Sequence, residues 1–146
     1  MAGRSGAATV VAAGAVDDVI GKVIAGAELG TYFLPDIEPL VARKRWLAGQ
    51  LQVKGQLILD AGAVKVLQRD GKSLLAVGVK SVLGQFERGE LVSCINEDGI
   101  EIARGLVNYG KPDAQLIAGK SSLEFEKILG YANDSEMIHR DNMVLI

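Results

Sequence analysis

The chain has 146 residues and a mass of 15.4 kDa, which suits one ordinary domain or a small domain with a further piece, and it can bury a core without disulfides or metal. Hydrophobic residues at 49% and charged residues at 23% exclude wholesale disorder, and the longest apolar run, 7–16, is broken by Gly14 and falls short of the roughly 20 residues that cross a bilayer. The net charge of −2 divides into −3 over residues 1–42, +6 over 43–88 and −5 over 89–146, so the basic middle is the candidate anion-binding face unless folding mixes these charges over one solvated surface. No signal-peptide pattern opens the chain, and the lone Cys94 excludes an internal disulfide or a Cys-based metal site. A reducing cytoplasm is the expected compartment, with no membrane partner.

In chain order, the β-branched run at 9–13 predicts a buried strand. Val19, Ile20, Val23 and Ile24 share one face of a predicted helix, which Asp17 can cap and Gly26 can end. Residues 30–35 predict a second strand, ended by Pro35. Pro35, Pro39, Gly49 and Gly55 punctuate 36–54, which reads as a connector carrying the cluster Arg43-Lys44-Arg45-Trp46. There Trp46 is expected to anchor against a core while the charges stay wet; the functional alternative is a phosphate-contacting arm with a stacking ring.

From Gly55 the pattern becomes denser. Residues 56–59 predict a strand and 61–69 a helix, capped by Asp60 and stopped at Asp70-Gly71. Residues 77–83 predict a strand. The runs 90–96 and 100–109 flank Glu97-Asp98-Gly99, a hairpin signal. Pro112 suits the first turn of a helix that runs to Gly119. Ser121-Ser122-Leu123-Glu124 fits a capping box for a helix ended by Gly130, and 143–146 predicts a closing strand. Strands in hairpins outnumber helices after residue 55, which favours a small mixed β barrel or α+β domain.

Motifs that resemble chemistry fail on spacing. Asp70-Gly71-Lys72-Ser73 and Gly119-Lys120-Ser121 lack the earlier glycine of a phosphate loop, because Val66 and Ala114 stand there. His139-Arg140-Asp141 starts like a protein-kinase catalytic loop, but Ile146 occupies the place of its asparagine. His139 has no evident partner for a metal or a relay, Cys94 reads as a buried inert thiol, and Asn133-Asp134-Ser135 is a glycosylation sequon only for a secreted chain. The residues supply no catalytic, cofactor or metal site. The candidate RNA or anion contacts are Arg43, Lys44, Arg45, Lys72, Lys80 and Arg88.

The order of short words along the chain is more specific. Val19-Ile20-Gly21-Lys22-Val23 leads to Gly30-Thr31-Tyr32-Phe33, then Arg43-Lys44-Arg45-Trp46-Leu47, Asp60-Ala61-Gly62-Ala63-Val64 and Lys72-Ser73-Leu74-Leu75. Phe86-Glu87-Arg88-Gly89-Glu90, Ile102-Ala103-Arg104-Gly105, Ile128-Leu129-Gly130-Tyr131 and His139-Arg140-Asp141-Asn142-Met143 follow. This series resembles the C-terminal part of the bacterial glutamate 5-kinase family, collinearly over essentially the whole chain. The resemblance implies an α+β chain: a PUA-type mixed β pseudo-barrel with short helices, preceded by a strand–helix–strand remnant of an α/β amino-acid kinase domain. It divides the chain into a kinase remnant at 1–40, a linker at 41–54 and a PUA domain with a C-terminal strand at 55–146.

For the full enzyme it implies transfer of the γ-phosphoryl group of ATP to L-glutamate, with magnesium, in cytoplasmic, oligomeric proteins of proline biosynthesis. The PUA domain would be accessory, regulatory or part of assembly; the alternative is an RNA-binding PUA module. The family's glycine-rich nucleotide loop, catalytic lysine and glutamate-binding residues precede the segment that matches Thr9 onward, so no catalytic or cofactor residue carries over and this chain is expected to be inactive alone. Its expected partners are the kinase domain of the same enzyme, further copies of the chain and RNA. The face of Val19, Ile20, Val23 and Ile24 is expected to lack its native cover, giving self-association or folding back. Ala76 departs from the family, which often has proline there.

Overall fold

The computed structural model describes residues 8–34, 38–49 and 52–146. The chain forms two compact units, Met1–Arg43 and Lys44–Ile146.

In the first unit, β1 (Thr9–Val11) and β2 (Thr31–Phe33) pair antiparallel, with Val10 opposite Tyr32. Between them lies α1 (Val19–Ile24). The expected Asp17 cap is corrected: Asp18 occupies the N-cap at φ 48°, a left-handed conformation that aspartate tolerates, and makes no side-chain cap bond. Gly26, at φ 85°, ends the helix as expected. Ile20 and Ile24 are 74% and 80% exposed, and no residue of α1 is buried. Pro35 lies outside the described residues.

Helix α2 (Pro39–Gly49) lies inside the segment 36–54 that reads as a connector, and the division between units falls within it. Pro39 opens the helix at a position where its missing N–H is harmless, and 40–48 holds good helix formers. Leu47 is fully buried, whereas Trp46 is 55% exposed, so the ring expected to anchor stands largely in solvent.

The second unit is built on a five-stranded sheet in the order β4-β3-β5-β6-β7: β4 (Val79–Gly84), β3 (Gly55–Leu59), β5 (Leu91–Ile95), β6 (Glu101–Leu106) and β7 (Met143–Leu145). All neighbours are antiparallel except β3 and β5. Strand β3 alternates, with Leu57 and Leu59 buried, while Leu91, Val92, Ser93 and Cys94 of central β5 are covered on both faces. The β5–β6 turn is pinned by Asn96, whose Oδ1 accepts from the N–H groups of Asp98 (3.1 Å) and Ile100 (2.8 Å). The expected strand start at 77 and strand end at 109 are corrected to Val79 and Leu106. Ala76–Gly78 forms a 3-10 turn, and Tyr109 leaves the ladder to pack edge-on against Phe125, 5.6 Å between ring centres.

Three short helices flank the sheet: α3 (Ala61–Asp70), α4 (Lys111–Ile117), with Pro112 in its first turn, and α5 (Phe125–Leu129). The capping box at 121–124 is realised only in part. Ser121 Oγ accepts from Leu123 N–H at 3.4 Å, and a 3-10 turn at Ser122–Glu124 precedes α5, which Gly130 ends at φ 79°. Backbone at 136–138 joins distant parts: Met137 N–H donates to Leu74 O at 2.8 Å, and Asn108 N–H to Met137 O at 2.9 Å. These bonds curl the sheet and its flanking segments around one core of Leu57, Val92, Tyr109, Phe125 and Ile138, among others. Each such side chain contributes about 1.5–3 kcal/mol. Among the described residues no helix is long and apolar enough to cross a membrane.

Candidate functional site

A concavity of the second unit, about 600 Å³, lies between α3, the segment 72–78 and the turn at 139–140. Helix α3 forms one wall because Asp60 caps it, with Oδ1 accepting from Ala63 N–H at 2.7 Å, and because Gly71 ends it at φ 55°. Leu67 of α3 belongs to the core and also lines the cavity, together with Ala63, which packs against that core, and Val66. The 3-10 turn comes close enough to this wall only because residue 78 is glycine. A Cβ there would stand 2.5 Å from the Ala63 Cβ, and Gly78 O accepts from Asp60 N–H at 3.0 Å.

The opposite wall is zipped from segments far apart in sequence. Leu74 and Ile138 form an antiparallel bridge, and Arg140 N–H donates to Ser73 Oγ at 3.1 Å across 67 positions. This brings Lys72, Ser73, His139 and Arg140 into one lining with Leu74, Leu75 and Val77. His139 Nδ1 accepts from Asp141 N–H at 3.2 Å, so the neutral ring carries its proton on Nε2. Asp60 and Glu136 also line the cavity, and the Asp60 carboxylate is engaged in the α3 cap. The arrangement suits binding: a mostly apolar lining with a few polar groups.

The six candidate cations fall on different elements. Arg43, Lys44 and Arg45 lie on α2, and Lys72 lines the cavity. Lys80 on β4 pairs with Glu97 at 2.9 Å, and Arg88 pairs with Asp134 at 2.8 Å. Arg88 borders a smaller cavity of about 360 Å³ beside Tyr131, whose hydroxyl donates to the Asp113 carboxylate. That bond, then desolvation, pushes the Tyr131 pKa upward. Cys94 is buried and its thiol is pushed up to about 12, first by desolvation and then by the charge of Glu101. Among the described residues no three His, Cys, Asp or Glu side chains gather as a metal site.

Sequence reasoning found Lys72 but missed Ser73, Glu136, His139 and Arg140 as its neighbours. Local spacing carries no sign of a bridge between residues 74 and 138. A usable signal was that Lys72-Ser73-Leu74-Leu75 and His139-Arg140-Asp141 are both among the words that carry the family resemblance.

The mixed sheet closed by the 136–138 segment, with α3 and its following loop at the cavity, defines a PUA-type fold. The chain belongs to the PUA domain family, whose model matches residues 55–129. Over its whole length it is similar to glutamate 5-kinases and corresponds to their C-terminal, PUA-bearing part. It is 56% identical to the glutamate 5-kinase of Hydrogenovibrio crunogenus over 144 residues, 99% of this chain and 38% of the relative. It is also 56% identical to that of Hahella chejuensis over 146 residues, 100% of this chain and 38% of the relative. The chain thus spans well under half the length of these curated relatives. A crystal structure of a PUA domain from Aeropyrum pernix K1, a tartrate complex, is similar over 59% of this chain and 41% of that one, with 22% identity and a TM-score of 0.44.

Proposed function

We propose that the chain is part of a cytoplasmic glutamate 5-kinase that transfers the γ-phosphoryl group of ATP, with magnesium, to the side-chain carboxylate of L-glutamate in proline biosynthesis. The observation that carries this reading is 56% identity over 99% of the chain. In this reading residues 1–40 complete the kinase domain, 41–54 link it onward, and 55–146 are an accessory PUA domain in regulation or assembly. The chain holds none of the catalytic machinery itself. Phosphoryl transfer needs groups that cradle and neutralise the phosphates, and the segment Asp70-Gly71-Lys72-Ser73 instead ends a helix. Purified chain given ATP, magnesium and L-glutamate is expected to yield no γ-glutamyl hydroxamate when hydroxylamine traps the acyl phosphate; saturable turnover would overturn the inactivity.

The partners in this reading are the kinase domain and further copies of the enzyme. Ile20, Ile24, Tyr32, Phe33 and Leu34 are exposed in the first unit, an apolar surface of the kind that a partner covers. A second reading, RNA binding, draws support from Trp46, an exposed ring that follows Arg43, Lys44 and Arg45 on one helix. Its signature is affinity that falls with salt at a slope of about −0.7 per phosphate on single strands. A flat titration, or no binding at low salt, removes it.

A further inference from the structure

We propose that the 600 Å³ cavity between α3 and the zipped segments 72–78 and 136–140 is a binding site for a small organic anion with an apolar body. The volume lies in the range of small-molecule sites, which are mostly apolar with a few placed polar groups. The apolar lining of buried Leu74 and part-exposed Val66, Leu75 and Val77 offers contact to a hydrocarbon or ring. The polar lining is richer in donors than in acceptors. Lys72 offers an ammonium with no ion pair among the described residues, and Arg140 offers a guanidinium that is 63% exposed and meets Asp141 only at 3.6 Å, beyond hydrogen-bond length. Ser73 retains its hydroxyl proton while accepting from Arg140 N–H, and His139 retains Nε2–H while Nδ1 accepts from Asp141 N–H. Against these stand two carboxylates, Glu136 in the lining and Asp141 beside His139 and Arg140, while Asp60 is held by the α3 cap.

An acceptor-rich anion satisfies this donor set. A nucleic-acid backbone does not, since it needs a line of several cations and the cavity supplies two beside two carboxylates. The proposal concerns the PUA unit alone and stands whether or not the catalytic reading holds.

The test titrates the full 146-residue chain with acetate, hexanoate, benzoate and phenyl phosphate, and with a short RNA hairpin, following amide shifts by NMR. Hexanoate, benzoate and phenyl phosphate are expected to shift amides of 62–78 and 136–140 saturably, at concentrations where acetate and the hairpin do not. The double variant K72A/R140A is expected to weaken phenyl phosphate binding by about tenfold or more, as loss of charge-assisted hydrogen bonds requires. V66D, at a position 39% exposed, is expected to weaken it through a repelling charge while keeping the native spectrum. If K72A/R140A disturbs the fold, V66D alone decides. Absence of saturable shifts with every apolar anion, shifts located elsewhere, unchanged affinity in the folded variants, or displacement of phenyl phosphate by the hairpin would each overturn the proposal.

Discussion

Single atoms decide how the cavity wall is built. A methyl group at residue 78 would stand 2.5 Å from the Ala63 Cβ, so Gly78→Ala is expected to cost about 1–3 kcal/mol through overpacking. Combining it with Ala63→Gly should recover part of that cost, giving a coupling in urea unfolding that two independent sites would not show. Cys94 carries a second prediction, on pH. Its folded pKa, about 12, is raised above the ordinary 9.0, so the unfolded chain releases that proton first. The stability held at neutral pH is therefore lost as pH rises from about 9 towards 12, with a limiting slope of about 1.4 kcal/mol per pH unit. Tyr109, also shifted upward by desolvation, acts in the same direction. Urea unfolding at pH 8 and 10.5 should show a smaller loss in Cys94→Ala than in the native chain; equal losses would contradict the burial argument. The buried thiol was legible in the sequence because Cys94 alternates with Val92 in a strand. The contact of Gly78 with Ala63 was not, because nothing local announces that a turn will meet a helix fifteen positions earlier.

Elements were legible where local chemistry marks both ends. Asp60 and Gly71 bracket α3, and Glu97-Asp98-Gly99 marks the β5–β6 turn. Asp60→Ala should lower stability by about 1 kcal/mol through the lost cap, with α3 fraying first in hydrogen exchange. Helix α2 was not legible. Leu40, Val41, Trp46 and Leu47 make no single apolar face around three consecutive charges, and the proline and glycine at its ends resemble loop punctuation. Because Leu47 is fully buried, Leu47→Ala is expected to cost about 2–5 kcal/mol. A neutral result would contradict that burial.

At the scale of the whole molecule, the second unit has its own core and sheet, whereas α1 of the first buries no side chain. Residues 44–146 expressed alone should unfold cooperatively, and the full chain should self-associate with rising concentration in sedimentation velocity. Replacing Ile20 and Ile24 by lysine should suppress that association if their exposed face drives it. The order of family words along the chain anticipated the PUA fold, but the cavity emerged only from pairing across 67 positions. The central claim is that this chain supplies the PUA-bearing part of a glutamate 5-kinase. Its most direct test is γ-glutamyl hydroxamate formation by a chimera in which the chain replaces the matching segment, 38% of the length, of the Hydrogenovibrio crunogenus enzyme. The account predicts a folded chimera with ATP- and glutamate-dependent turnover; a folded chimera without turnover would contradict it.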